Sequence, residues 1–289
     1  MDRDVVLIVN PSAGGGRVQR LLPGVERWLR VHGVAYRVQR TRDIEHAREL
    51  ARAAGAAGEV AAAFGGDGMV GAVAGALAGS DGLLAVLPGG RGNDFARAAG
   101  IPRSPVAACS AFESGRERAI DLGEVDGRRF VGIASCGFDS DANRIANATR
   151  IPGAASYAWG ALRALAAWKP ATFELTIDGE VRSFKGYTTA VANSSVYGGG
   201  MYVAPAAQLD DGLFDVVTVS GVSKLRFATQ LPSVFRGGHV RNPEVDVRRG
   251  AEVKIVADRP FTLYADGDPI AALPATVRVL PGAVRMLVP

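Results

Sequence analysis

Two short glycine-rich stretches bring together the residue types that phosphate chemistry needs. The first, Phe64-Gly65-Gly66-Asp67-Gly68, follows an apolar run, Val60–Phe64, and precedes a small-residue helix reaching about Ala78. At such a strand-to-helix turn, glycines let a phosphate approach backbone N–H groups at the helix start. Asp67 is then placed to orient a metal ion or a hydroxyl. The second, Pro88-Gly89-Gly90-Arg91-Gly92-Asn93-Asp94, follows the next apolar run, Leu83–Leu87, and helix resumes at Phe95-Ala96-Arg97. Taken singly, the first reads as a tight turn and Asn93-Asp94 as helix caps. Two such loops at neighbouring strand ends, each with an aspartate, fit a grip on a triphosphate and its counter-ion.

Other chemistries are poorly supplied. Gly66-x-Gly68-x-x-Gly71 satisfies a dinucleotide fingerprint, but the next strand does not end in the acidic residue that would hold a ribose. No GxxxxGKS or GxxxxGKT run marks a P-loop. His32, His46 and His239 are widely spaced, with no HExxH. Ala78-Gly79-Ser80-Asp81-Gly82 lacks the first glycine of a hydrolase elbow and precedes a strand rather than a helix. Cys109 and Cys136 form no CxxC, which argues against structural zinc or a disulfide framework and for a reducing, cytoplasmic setting.

The elements that must position these loops alternate. Val5–Val9 is a buried strand candidate ending at Asn10-Pro11. Arg17–His32 has helical spacing, Val34–Gln39 reads as a strand, and Ile44–Ala57 as a helix capped near Asp43. With Val60–Phe64 and Leu83–Leu87, this rhythm predicts a parallel α/β sheet, whose ligands bind beyond the carboxyl ends of the strands. After about Asp121 the pattern changes. Asp126-Gly127, Asp178-Gly179 and Asp266-Gly267 fall among strand-like runs and signal hairpins. The second half therefore reads as an antiparallel β-sandwich interrupted by one helical insert, residues 154–168. Trp159 and Trp168 in that insert read as core packing in preference to an acyl-chain groove.

Composition adds exclusions. At 289 residues, 48% hydrophobic and 21% charged, the chain has ordinary globular character and the length for one large domain or two modest ones. The net charge of +4 comes from scattered arginines, and no basic tract with interleaved aromatics points to nucleic acid. The opening Met1-Asp2-Arg3-Asp4 is too charged for a signal peptide. The longest uncharged apolar run, roughly Met69–Gly79, is too short to span a membrane.

Five segments, in order, resemble the bacterial diacylglycerol kinase-like lipid kinases, relatives of the sphingosine and NAD kinases. Asn10-Pro11-Ser12-Ala13-Gly14 resembles the family's opening motif, Gly65–Gly68 its GGDG signature, and Pro88–Arg97 its PxGTxNDFAR segment. Asp210–Asp215 resembles DDGxxD, and Asp266-Gly267-Asp268 stands where the family has DGE. The resemblance implies a nucleotide-binding α/β domain, residues 1–122, completed by 276–289, and a sandwich over 123–275, with the active site between them. It places ATP across Asn10, Thr41, Gly65, Gly66, Asp67, Gly68, Met69, Arg91 and Asn93, with Asp67, Asn93 and Asp94 near the phosphates and Mg²⁺. It makes Asp268 the general base, in place of the family's glutamate. It assigns a second, structural Mg²⁺ to Asp211 and to the backbone carbonyls of Gln208 and Leu213.

The sequence departs from this pattern at Met69 and Arg91, both threonine in the family, at Gly71-Ala72, usually Asn-Glu, and at Asp268. The shorter acid at 268 costs about 1 Å of reach, an error that can cost about 100-fold in rate. The expected activity is ATP-dependent phosphorylation of diacylglycerol by a cytoplasmic protein in peripheral contact with a membrane. The alternatives are a sphingoid base or other hydroxyl acceptor, and a non-catalytic nucleotide- or lipid-binding protein. A homodimer is left open.

Overall fold

The computed structural model describes residues 3–138, 140, 141, 145 and 163–289. Strands β1 (Val5–Val9), β3 (Val60–Gly65) and β4 (Leu83–Pro88) are buried at every position, as expected of central parallel strands covered on both faces. With β2 (Tyr36–Arg40) they form a parallel sheet ordered β2-β1-β3-β4. Helices α1 (Ala13–Val31), α2 (Ile44–Ala56), α3 (Asp67–Leu77) and α4 (Asp94–Ala98) follow the successive strands. Gly14, Gly15 and Gly16 all have left-handed φ, so regular helix in α1 starts where the spacing from Arg17 predicts. Val18, Leu22, Val25 and Leu29 then line its buried face. Asp43 caps α2 by accepting from the His46 N–H at 2.8 Å. Short helices α5 (Pro105–Ala108) and α6 (Ala111–Ser114) lead out of this half.

The second half is the antiparallel sandwich that the hairpin signals predict. Strands β5 (Arg116–Val125), β6 (Arg128–Phe130), β7 (Ile133–Gly137), β8 (Ala171–Ile177), β9 (Glu180–Ala192) and β10 (Phe214–Ser220) are followed by β11 (Val245–Gly250), β12 (Glu252–Ala257), β13 (Thr262–Ala265), β14 (Asp268–Ala272) and β15 (Ala275–Val288). β9 pairs with β8 as far as Gly186, then with β7 and β10. Its core is aromatic: Trp168 meets Phe138 edge-on at 6.0 Å and stacks on Tyr187 at 6.1 Å. The predicted insert falls largely outside the described residues, Trp159 included; within it residues 163–167 are helical and Trp168 is core. An unpredicted helix, α7 (Lys224–Val234), is capped by Ser223 and buries only Phe227, so its apolar pattern was too thin to register. Both cysteines are buried, and they form no disulfide with each other.

The halves share strands instead of being strung on a linker. β15 pairs with β12 through Ala275–Arg278, then runs parallel to β4 at Arg285 and Met286. β5 accompanies it antiparallel from Arg278 to Val288, with a register break between Leu280 and Val284. Asp121 on β5 faces that break. It is 2% exposed, and its two carboxylate oxygens accept from Gly282 N–H and Gly212 N–H, each at 2.7 Å. Its own N–H donates to Leu209 O at 2.6 Å, and Asn193 Nδ2 donates to its carbonyl at 3.0 Å.

Candidate active site

The parallel sheet brings the polar residues predicted from the glycine loops to one edge. Asn10 and Thr41 sit just past β1 and β2. The Asn10 N–H donates to Phe64 O at 3.1 Å, its Oδ1 accepts from Ser12, and the Thr41 N–H donates to Val9 O at 2.9 Å. Gly65 O accepts from the N–H groups of Gly89 and Gly90 at 2.7 and 3.0 Å, which locks the two loops together. A Cβ on Gly90 would lie 2.5 Å from Gly66 Cα, so the backbones touch where only glycine fits. Asn93 takes left-handed φ of 53° and closes its loop on Gly90, accepting from its N–H at 2.8 Å and donating to its carbonyl at 3.0 Å. Arg91 is exposed at the loop tip, and the Met69 side chain is buried in the core.

Two carboxylates meet here. Asp67 Oδ1 accepts from the Phe95 N–H at 3.0 Å. Asp94 is 8% exposed, and its Oδ2 accepts from the Gly199 N–H at 2.6 Å. Its Oδ1 is buried with no hydrogen-bond partner among the described residues. A Cβ on Gly92 would stand 3.1 Å from Asp67 Oδ2 and 3.4 Å from Asp94 Oδ2, so both acids border the same space. Burial pushes the Asp67 carboxyl above the usual carboxylate range; the Phe95 N–H opposes that and the Asp94 charge adds to it. An orphaned buried oxygen beside a second acid is a donor set that suits a hard cation.

The sandwich contributes residues that local patterns hid. Gly199 belongs to a run, Gly198–Gly200, whose three residues all have positive φ and which lies against α4. A Cβ on Gly200 would meet the Arg97 guanidinium at 2.3 Å. Three consecutive glycines beyond a strand were the available signal. Asp266, read from sequence as a hairpin turn and as the first residue of the segment standing where the family has DGE, points inward, and its Oδ2 and Oδ1 accept from the N–H groups of Val131 and Gly132, each at 2.9 Å. Burial pushes its carboxyl up to about 6, against the pull of the Val131 N–H and helped by the Asp67 charge. Asp268 opens β14 and is exposed.

An acid whose folded pKa is raised holds its proton longer than the unfolded chain does. The stability this gives is full below about pH 4 and is lost as pH rises through about 6. The residue as a whole is only half-buried, which discounts the linkage to on the order of 2 kcal/mol. Denaturant unfolding of the parent and Asp266→Asn at pH 4.5, 5.5, 6.5 and 7.5 should show the parent losing that much relative to the variant. A pH-independent difference would return Asp266 to ordinary titration.

Gln208, Asp211 and Leu213 lie on one turn before β10. There Asp211 Oδ1 accepts from the Leu213 N–H at 3.1 Å and Oδ2 is held by Arg249. A guanidinium therefore stands on the carboxylate that the resemblance assigns to the second Mg²⁺. Among the described residues no group of three or more His, Cys, Asp or Glu is arranged to hold a metal.

Comparison with known proteins agrees with this architecture. Residues 4–125 match the diacylglycerol kinase catalytic domain, and residues 132–288 match the YegS C-terminal NAD kinase beta sandwich-like domain. A diacylglycerol kinase of Mycobacterium tuberculosis is 34% identical over 99% of this chain and 95% of its own length. One from Bacillus subtilis is 30% identical over 73% of this chain and 72% of its own. A crystal structure of a diacylglycerol kinase from Bacillus anthracis has the same fold, with a TM-score of 0.76 at 20% identity over 99% of this chain and 97% of that one. The paired glycine loops, the sandwich closed over them and the matches along both halves make this chain a member of the diacylglycerol kinase and YegS-like lipid kinase family, phosphotransferases with an alcohol acceptor.

Proposed function

We propose that the protein transfers the γ-phosphoryl group of ATP to the free hydroxyl of diacylglycerol, giving phosphatidic acid. The observation that carries this reading is the unpartnered, buried Asp94 Oδ1 beside Asp67, at the carboxyl ends of the strands and under the sandwich loop. Asp67 and Asp94 would hold Mg²⁺, which when bound neutralises charge on the phosphate oxygens. The start of α3 offers backbone N–H groups and a positive dipole end to the triphosphate. Asp268 takes the proton as the lipid O–H bond breaks. The freed oxygen forms its bond to the γ-phosphorus while the bond to the bridging oxygen breaks, and ADP leaves.

A cavity of about 470 Å³ supports a lipid acceptor. It opens along the hairpin that carries Asp266 in its turn and Asp268 at the start of β14, between Thr262, Tyr264 and Ala272 on the hairpin and Trp168 and Phe261 in the core. Its size is within the range of small-molecule sites, and Lys169 and Arg259 line it beside the aromatic wall. Among the described residues no helix is long and apolar enough to cross a membrane, and the proposed encounter with lipid is peripheral, from the cytoplasmic side.

The test is transfer of labelled γ-phosphate from ATP into mixed micelles containing Mg²⁺ and diacylglycerol. Labelled phosphatidic acid is expected, reduced about 100-fold by Asp268→Ala. Label that enters sphingosine and not diacylglycerol would reassign the acceptor. Nucleotide binding with no label in any lipid extract would leave a binding protein.

A further inference from the structure

We infer that Arg249 replaces the structural Mg²⁺ that the resemblance implies at the turn before β10, so that this part of the fold is held by the chain's own guanidinium. Backbone register sets the arrangement. In the β10–β11 ladder Arg249 stands directly opposite Asp215, where cross-strand side chains lie about 5 Å apart at Cβ. From there its guanidinium reaches Asp211 Oδ2. Asp215 is 4% exposed. The Leu213 N–H occupies the other Asp211 oxygen at 3.1 Å.

The neighbouring acids are also committed. Asp210 is engaged by both Nε and Nη2 of Arg118 at 2.7 Å, and Asp121 by the N–H groups of Gly212 and Gly282. A divalent ion here would have to displace the Arg249 guanidinium from the Asp211 carboxylate. Because Gly212 and Leu209 bond to Asp121 at the junction of the two halves, Arg249 steadies that junction without drawing on free Mg²⁺. Chelation should then stop catalysis and leave the fold intact.

The experiment uses the full chain without nucleotide and compares melting in EDTA with melting in 10 mM Mg²⁺ at matched ionic strength, for the parent, Asp211→Asn, Arg249→Met and the double variant. Parent and Asp211→Asn should respond to Mg²⁺ identically, since any response comes from the catalytic acids. Arg249→Met should melt lower in EDTA and regain about 5 °C with Mg²⁺, and Asp211→Asn in that background should abolish the gain. A parent response that Asp211→Asn removes, or an Arg249→Met protein indifferent to Mg²⁺, overturns the inference. Should Arg249→Met fail to fold, Mn²⁺ counting on the parent by paramagnetic resonance decides alone. With ADP present, Mn²⁺ that disappears in Asp211→Asn overturns the inference, and an unchanged count upholds it.

Discussion

Asp94→Asn should lower turnover in lipid phosphorylation by about 10³-fold while leaving the fold in place. The asparagine oxygen can still accept from the Gly199 N–H that Asp94 holds at 2.6 Å, so the closure of the sandwich loop on α4 survives. What is lost is the charge, at a position where the second carboxylate oxygen is buried and unpartnered. A fixed charge in such a water-poor site is worth far more than the same charge in water. Removing it also relieves repulsion with Asp67, whose raised pKa partly reflects that neighbour. The variant should therefore melt at or slightly above the parent temperature without Mg²⁺. Initial-rate kinetics beside a thermal melt separate the two effects. Activity within fivefold of the parent would remove Asp94 from the chemistry, and a large drop in melting temperature would make its role structural.

The largest effect on stability is expected at Asp121. Replacing it with alanine removes acceptors from the N–H groups of Gly212 and Gly282, leaving two donors unpaired where the halves join. Bonds to a charged acceptor contribute about 1.5–3 kcal/mol each, so Asp121→Ala should cost about 4 kcal/mol. Asp121→Asn keeps one acceptor and should lose about half of that. Urea unfolding followed by far-ultraviolet circular dichroism and by tryptophan fluorescence would measure the loss. It would also reveal whether the two probes separate once the junction is weakened. A cost below about 1 kcal/mol would mean that the ladder itself, and not Asp121, fixes the register there.

Much of the first half was legible because its signals are local. Val5–Val9 and Leu83–Leu87 are unbroken apolar runs, and the glycine loops punctuate them at the strand ends. Asp266 was not legible in the same way. Its partners, Val131 and Gly132, lie 135 and 134 residues earlier in the chain, and its Asp-Gly context satisfied a hairpin turn completely. Gly199 is 105 residues from Asp94, and Asp121 looked like nothing more than a change in composition. Arg249 was one arginine among many; only the ladder register against Asp215 gives it a role. Side chains whose purpose is a long-range pairing leave no periodicity to read.

The shared strand β15 has a consequence for biosynthesis. β4 has β3 on one side and Arg285–Met286 on the other, and those residues leave the ribosome about 200 residues after Leu83. At 5–20 residues per second, the first sheet waits about 10–40 s with one edge unfilled. An apolar strand with free N–H and C=O groups invites pairing with another nascent chain. Translation that halts before β15 would strand this edge permanently, so a truncated product should be a client of chaperones and proteases and not a smaller working enzyme.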